Sequence, residues 1–321
     1  RARGINAWLA VGWSAGHLPG VLTIPNHGGR DPWARISLAA ANALSPFVGR
    51  VRGAGWLCNQ LRLLGQPERI LEMLRGHEDF CHPGTWRILD LPPAKPDILH
   101  CHNLHGGYFD LRALPWLCAQ VPVVLSLHDA WLLSDHCAHS LDCERWQIGC
   151  GHCPDLSIYP AILRDATAFN WQRKQEIYAR CALYVATPSR WLMGKVKSSI
   201  LSRAIVESRV IPHGVDLEIF HPADRGLARR TLAIPHEAQM LLFAANGIRK
   251  NRWKDYRTLR SAIALVAERL KGRSVLFVAL GEQGSPERVG QATIRFVPYQ
   301  RDQRIVALYY QAADLYIHAA R

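Results

Sequence analysis

At 321 residues the chain is longer than a usual single domain, so two domains are expected. Its 49% hydrophobic and 20% charged residues are the balance of a folded globular protein, and no apolar run nears the roughly 20 residues that cross a bilayer. The net charge of +13 and pI of about 9.6 suit phosphorylated substrates or anionic lipid headgroups, and equally a generally basic solvated surface. Arg and Lys are scattered, without a dense basic run or an aromatic-interleaved RNA motif, so no nucleic-acid partner is expected.

The chain opens on Arg1-Ala2-Arg3-Gly4, without Met or a signal-peptide pattern, and runs into a predicted strand, Ile5–Val11; a missing upstream segment is the expectation. A helix is predicted over Arg50–Leu64, then a strand over Asp97–Cys101, a helix over Phe109–Gln120 and a strand over Val121–Leu127. Next come a helix over Ala161–Cys181, a strand over Leu183–Ala186, a helix over Ser189–Leu201 and a strand over Arg209–Ile211. The turn Pro212-His213-Gly214-Val215-Asp216 and the following Pro222 mark a boundary, giving domains 1–220 and 221–321. Beyond it lie strands at Met240–Ala244, Ser274–Leu280, Ile294–Val297 and Leu315–His318, and helices at Lys254–Leu270 and Asp302–Ala313. In the first of these helices Tyr256, Leu259, Ile263, Val266 and Leu270 share one face. Strands alternating with helices of this length predict an α/β fold with parallel sheets built from βαβ units.

Open sheets of this kind bind ligands beyond the carboxyl ends of their strands. There the strand from Asp97 runs out into His100, His102, Asn103 and His105, and the strand from Val121 into His128-Asp129-Ala130-Trp131. His100 and His102 share a strand face but lack a visible third ligand for a metal. Neither a dinucleotide fingerprint nor a Walker loop is present. Arg249, Arg252 and Lys254 stand where the strand from Met240 leads into a helix, a place where cations and free backbone N–H groups can hold phosphate.

Of nine cysteines, Cys58, Cys81, Cys101, Cys118 and Cys181 read as ordinary buried thiols. Cys137, Cys143, Cys150 and Cys153 fall in a Cys-rich loop, 132–156, with His136, His139 and His152. Four soft ligands including one Cys-x-x-Cys pair suit a closed structural zinc site; two disulfides or unligated thiols are the alternatives, and an iron–sulfur cluster has no independent support. The odd cysteine total and absent signal point to a reducing cytoplasm.

The segments Asp97-Ile98-Leu99-His100-Cys101-His102, Pro122 to Asp129, and Ile211-Pro212-His213-Gly214-Val215-Asp216 with Phe220 resemble successive signatures of family 4 glycosyltransferases. Leu127 to Trp131, followed by Gly149-Cys150-Gly151-His152-Cys153-Pro154, is similar to the branch that builds bacterial exopolysaccharide and colanic-acid-type polymers. The resemblance implies a GT-B fold: two Rossmann-like domains facing a cleft, the first receiving the acceptor and the second the nucleotide-sugar donor. It implies transfer of a sugar from a nucleoside-diphosphate sugar to a glycan or lipid-linked acceptor, with retention and without a catalytic metal. His128 matches the histidine beside the sugar; His102, Asn103, Asp129 and Trp131 become acceptor-side residues, Trp131 as a platform for a sugar ring or as packing. Lys254 matches the lysine that neutralises the leaving diphosphate, with Arg249 or Arg252 as the partner arginine; Asp255 replaces the family's usual glycine. The ending at Ala312 to His318 is similar to the segment before the family's paired-glutamate motif, so a truncated second domain, an absent N-terminal glycine-rich loop and an inactive fragment are expected. The location implied is the cytoplasm, with peripheral contact at the inner face of the plasma membrane. The competing class is a non-catalytic zinc-binding interaction protein on the same fold.

Overall fold

The computed structural model describes residues 4–14, 16, 18–26, 32–48, 51–270 and 272–319. The chain divides into two compact units, Arg1–His213 and Gly214–Arg321, where the sequence places the boundary at 220/221.

In the first unit, β1 (Leu9–Val11) and β2 (Val21–Thr23) form a separate parallel pair. The predicted strand from Ile5 is therefore reduced to its last three residues, with Ile5 exposed. Helices α1 (Pro32–Leu44), α2 (Ala54–Leu64) and α3 (Pro67–Arg75) follow. Helix α3 ends at Gly76 in the left-handed conformation, φ +78°, against the chain at Arg164; a Cβ here would lie 2.2 Å from the Arg164 carbonyl oxygen. The main sheet then assembles from β3 (Leu99–His102), β4 (Val123–Ser126), β5 (Leu183–Thr187) and β6 (Ile205–Val210), all parallel and in that order.

Its crossovers are α4 (Leu114–Gln120), the loop holding α5 (Arg145–Ile148) with α6 (Thr167–Tyr178), and α7 (Arg190–Lys197). The first two start later than the sequence predicts because carboxylates terminate the preceding turns. Asp110 accepts from Arg112 N and caps a 3-10 turn at Leu111–Ala113, while Asp165 accepts from Thr167 N. Val123, Leu125, Leu183 and Val185 meet Leu114, Leu117, Ile177 and Val196 in one buried core. That core holds the carboxyl ends of β3 and β4 in register, with His102 opposite Ser126.

In the second unit α8 (Arg225–Thr231) precedes a five-stranded sheet ordered β11-β7-β8-β10-β9. Strands β7 (Gln239–Ala244), β8 (Val275–Leu280), β10 (Ala292–Val297) and β11 (Leu315–Tyr316) are parallel, and β9 (Glu287–Val289) is antiparallel to β10. Every residue of β8 is buried, as a strand covered on both faces requires. Helix α9 (Tyr256–Arg269) covers one face through Leu259, Ile263 and Ala267, with Tyr256, Val266 and Leu270 at the margin. Helices α8 and α10 (Gln303–Ala312) supply Ala228, Tyr309 and Ala312 to the other.

Candidate functional site

The ends of β3 and β4 carry a row of exposed histidines. His100 and His102 lie on one face of β3 with ring centroids 4.2 Å apart. His102 Nδ1 is 2.9 Å from His128 Nε2, and the His128 ring stacks on His213 at 5.3 Å and 10°. At the far end His100 Nε2 lies 2.8 Å from Ser126 Oγ. A bond between two imidazole nitrogens needs one N–H and one lone pair, so it survives in the neutral or singly protonated pair and breaks when both rings are charged. Burial, then the neighbouring imidazoles, lower the His102 pKa; burial and His128 lower that of His100. His100 and His102 are therefore biased toward the neutral form, which can donate and accept at the same time. Asn103, directly after β3, is exposed and turns the chain at φ +44°.

The next residues of the β4 run-out divide into two environments. Asp129 takes His105 Nε2 at 2.7 Å on one oxygen and the Trp131 N–H at 3.0 Å on the other, which ties the two strand ends together. Trp131 is only 4% exposed, so its reading as a sugar platform is corrected: the indole is core. It packs edge-on to Phe80, and its Nε1–H donates to Glu78. Over its ring, 3.9 Å from the centroid, sits the wholly buried Lys174 ammonium. Lys174 Nζ donates to the carbonyls of Trp131, Ser134 and Asp135 at 2.9, 3.1 and 2.8 Å, and lies 2.9 Å from the Glu78 carboxylate. Burial pushes the Glu78 pKa up while Lys174 pulls it down.

Immediately beyond, Cys137, Cys143, Cys150 and Cys153 line one cavity of about 30 Å³ together with Asp135. All nine cysteines are free thiols. Burial raises the Cys137 pKa to about 11. As they lie, no three His, Cys, Asp or Glu side chains among the described residues are close enough around one point to hold a metal ion.

In the second unit the three basic candidates separate. Arg249 is held by acids and carbonyls: Nη2 donates to the Gln283 carbonyl at 2.6 Å, Glu282 and Glu287 lie 3.6 and 3.7 Å away, and the guanidinium covers the Phe296 ring. As it lies, Arg249 neutralises neighbouring carboxylates, and these contacts would have to be exchanged for it to meet a diphosphate. The Arg252 side chain lies outside the described residues. Lys254 ends the 3-10 turn Arg252–Lys254 and is half-buried beside the start of α9. The substitution at Asp255 now has a reason: this residue adopts φ +41°, a left-handed conformation natural to glycine, and its carboxylate caps α9 through Thr258 N at 3.1 Å and Thr258 Oγ1 at 2.9 Å. The cap occupies a helix N–H that would otherwise be open to an anion.

Glu78, Lys174, the bond between His105 and Asp129 and the stacking of His213 on His128 escape a sequence reading. Asn170 and Lys174 lie on the inward face of α6 with Thr167, Ile177 and Tyr178, so a search for apolar periodicity passes over them. His213 was legible only as part of a turn motif.

A sequence profile described as Glycosyltransferase Family 4 matches residues 50–219, which hold the histidine row and the cysteine loop. WcaC of Escherichia coli (strain K12), named for colanic acid biosynthesis, is 35% identical over 79 residues, 22% of this chain and 20% of that protein. D-inositol 3-phosphate glycosyltransferase 1 of Catenulispora acidiphila is 30% identical over 154 residues, 47% of this chain and 30% of its own length. A D-inositol 3-phosphate glycosyltransferase of Actinosynnema mirum is 38% identical over 120 residues, 33% of this chain and 28% of its own. Each match spans less than a third of the relative. The family profile, however, covers more than half of the 321 residues, and the chain belongs to Glycosyltransferase Family 4.

Proposed function

We propose that the chain belongs to a retaining transferase of GT-B type that moves a sugar from a nucleoside-diphosphate donor to a glycan or lipid-linked acceptor in cell-surface polysaccharide synthesis. On this reading the first unit serves the acceptor side and the second the donor. The observation that carries it is the exposed, hydrogen-bonded His102–His128 pair at the carboxyl ends of adjacent parallel strands, inside the stretch matched to the family. With Nε2 engaged by His102, His128 has Nδ1 left for a sugar hydroxyl, and the bond to His102 holds the ring in place. Asn103 and Asp129 bound the same strand ends and supply further polar groups for an acceptor.

A glycosyl transfer must stabilise a departing diphosphate and an oxocarbenium-like sugar, tasks of charge and position. Lys254, at the start of α9, is assigned to the diphosphate, with charge supplied by side chains rather than a divalent ion. The reaction takes place in a reducing cytoplasm at an anionic membrane face, where a lipid-linked acceptor resides.

Lys254→Ala should lower kcat/KM for the donor by about 100-fold, the scale of losing one charge-assisted contact to the leaving group. Turnover should need no added divalent ion. Wild-type kinetics in the variant would remove Lys254 from the site. If the wild-type protein consumes no sugar from a panel of nucleotide sugars and binds no nucleoside diphosphate in calorimetry, the transferase reading fails.

A further inference from the structure

We propose that the loop 132–156 is a zinc module: one ion held by the thiolates of Cys137, Cys143, Cys150 and Cys153. The inference stands apart from the transferase reading, since four protein ligands leave no open position for chemistry.

Three observations converge on a cation. The four thiols come from separate turns of one loop, yet all line a single cavity of about 30 Å³, room for an ion and little else. Asp135, 2% exposed, lines the same cavity beside the Cys150 thiol, and its Oδ2 has no hydrogen-bond partner of normal geometry, a costly state for a buried carboxylate oxygen. His136, fully buried, donates its Nδ1–H to the Pro160 carbonyl at 2.8 Å, which turns Nε2 toward the cysteine loop. Nε2 lies 3.9 Å from Cys153 Sγ and 3.6 Å from Asp135. Sulfur, carboxylate and imidazole groups are therefore gathered around one small cavity.

The surroundings resemble the outer support of a metal site. Ser134 Oγ donates to the Cys137 carbonyl, Asp165 accepts from Cys153 N at 2.8 Å, and Lys174 ties down the carbonyls of Ser134 and Asp135. Between Cys137 and Cys153 the only helix is the four-residue α5, and the chain turns through Gly149 and Gly151 at φ +132° and +142°. A stretch with so little regular hydrogen bonding gains most from a cross-link and is least locked against bringing its thiols inward. The thiols must close on the cavity they already line, since no three ligands converge as they lie. Binding releases one proton from each coordinating thiol, so uptake is accompanied by acidification.

The test uses the chain purified under reducing conditions and freed of loose metal by gel filtration. Elemental analysis should find about one zinc per chain, and replacement by cobalt(II) should give the visible absorption of tetrahedral thiolate coordination. The double variant Cys150→Ser/Cys153→Ser should lose both signals, while Cys81→Ala, outside the loop, keeps them. His136→Ala should retain the ion; loss there with retention in Cys143→Ser would overturn the four-thiolate set. If the serine variant does not fold, the wild-type protein still decides: the loop thiols should react with a thiol reagent only after a chelator is added. Trace zinc with no cobalt spectrum, two disulfides formed under reducing conditions, an iron chromophore, or equal zinc in the serine variant would each overturn the proposal.

Discussion

His82 shows how a single buried side chain links this fold to pH. It is 2% exposed, and burial lowers its pKa to about 4, against a partial pull upward from Asp79 at 3.5 Å. The sign follows from proton binding: on acidification the unfolded chain takes up this proton first, near the ordinary histidine value of 6.5. Stability from this group is complete above about 6.5 and is lost as pH falls toward 4. The unfolding free energy from urea titrations should drop over that window by at most about 1.4 kcal/mol per pH unit for this one proton, and His82→Gln should flatten that component. An unchanged slope in the variant would assign the loss to carboxylates instead. The exposed row at His100, His102 and His128 differs in kind. Its positions at strand ends were legible in sequence, whereas the 2.9 Å bond between His102 and His128 depends on how β3 and β4 align. Trp131 marks the reverse case. Next to two candidate polar groups it reads as a ligand platform, and only burial against Phe80 and Lys174 shows that it is core.

At the level of elements, α6 joins the candidate site to the cysteine loop. Its buried face carries Asn170 and Lys174 among Thr167, Ile177 and Tyr178, so the helix binds its neighbours by hydrogen bonds as well as packing. Asn170 accepts from Glu78 N and donates to the Gly76 carbonyl. Lys174 anchors the turn at 131–135 that leads from the β4 run-out into the loop. Removing the ammonium leaves the Glu78 carboxylate buried without its charge partner and three carbonyls without their donor. Lys174→Met should therefore destabilise the first unit by about 3–5 kcal/mol in denaturant unfolding. Adding Glu78→Gln should recover part of that loss, since the stranded charge is then gone. A change of under about 1 kcal/mol in the single variant would mean that the network contributes little. Helix α9 was more legible, because its inward face is apolar and periodic. Its start was not: the left-handed Asp255 is a property of the 3-10 turn before it, and a reading of residue types sees only a departure from glycine.

For the whole molecule, the excess of positive charge gains meaning when set beside exposed apolar groups. Trp33, Ile36, Val51 and Trp56 are 59%, 65%, 54% and 68% exposed, near Arg35 and Arg52 on or beside α1 and α2. Among the described residues no helix is long and apolar enough to cross a membrane. Indole rings interspersed with cations suit the headgroup region of an anionic bilayer, in line with the proposed peripheral contact. Vesicles containing anionic lipid should bind the chain and neutral vesicles should not, with binding weakened by salt; Trp33→Ser/Trp56→Ser should lower the partition coefficient about tenfold. Equal binding to neutral vesicles, or none to either, would remove the membrane contact. The resemblance to Glycosyltransferase Family 4 is borne out by the profile over residues 50–219. Alternating apolar strands and amphipathic helices determined the α/β class and its parallel sheets, because backbone periodicity and side-chain burial are written locally along the chain. The ordering of strands, the separation of β1 and β2 from the main sheet, the burial of Trp131 and the approach of Arg249 to acids were decided by tertiary structure alone. Each depends on contacts between residues far apart in sequence, and no local pattern of residue types encodes such a distance.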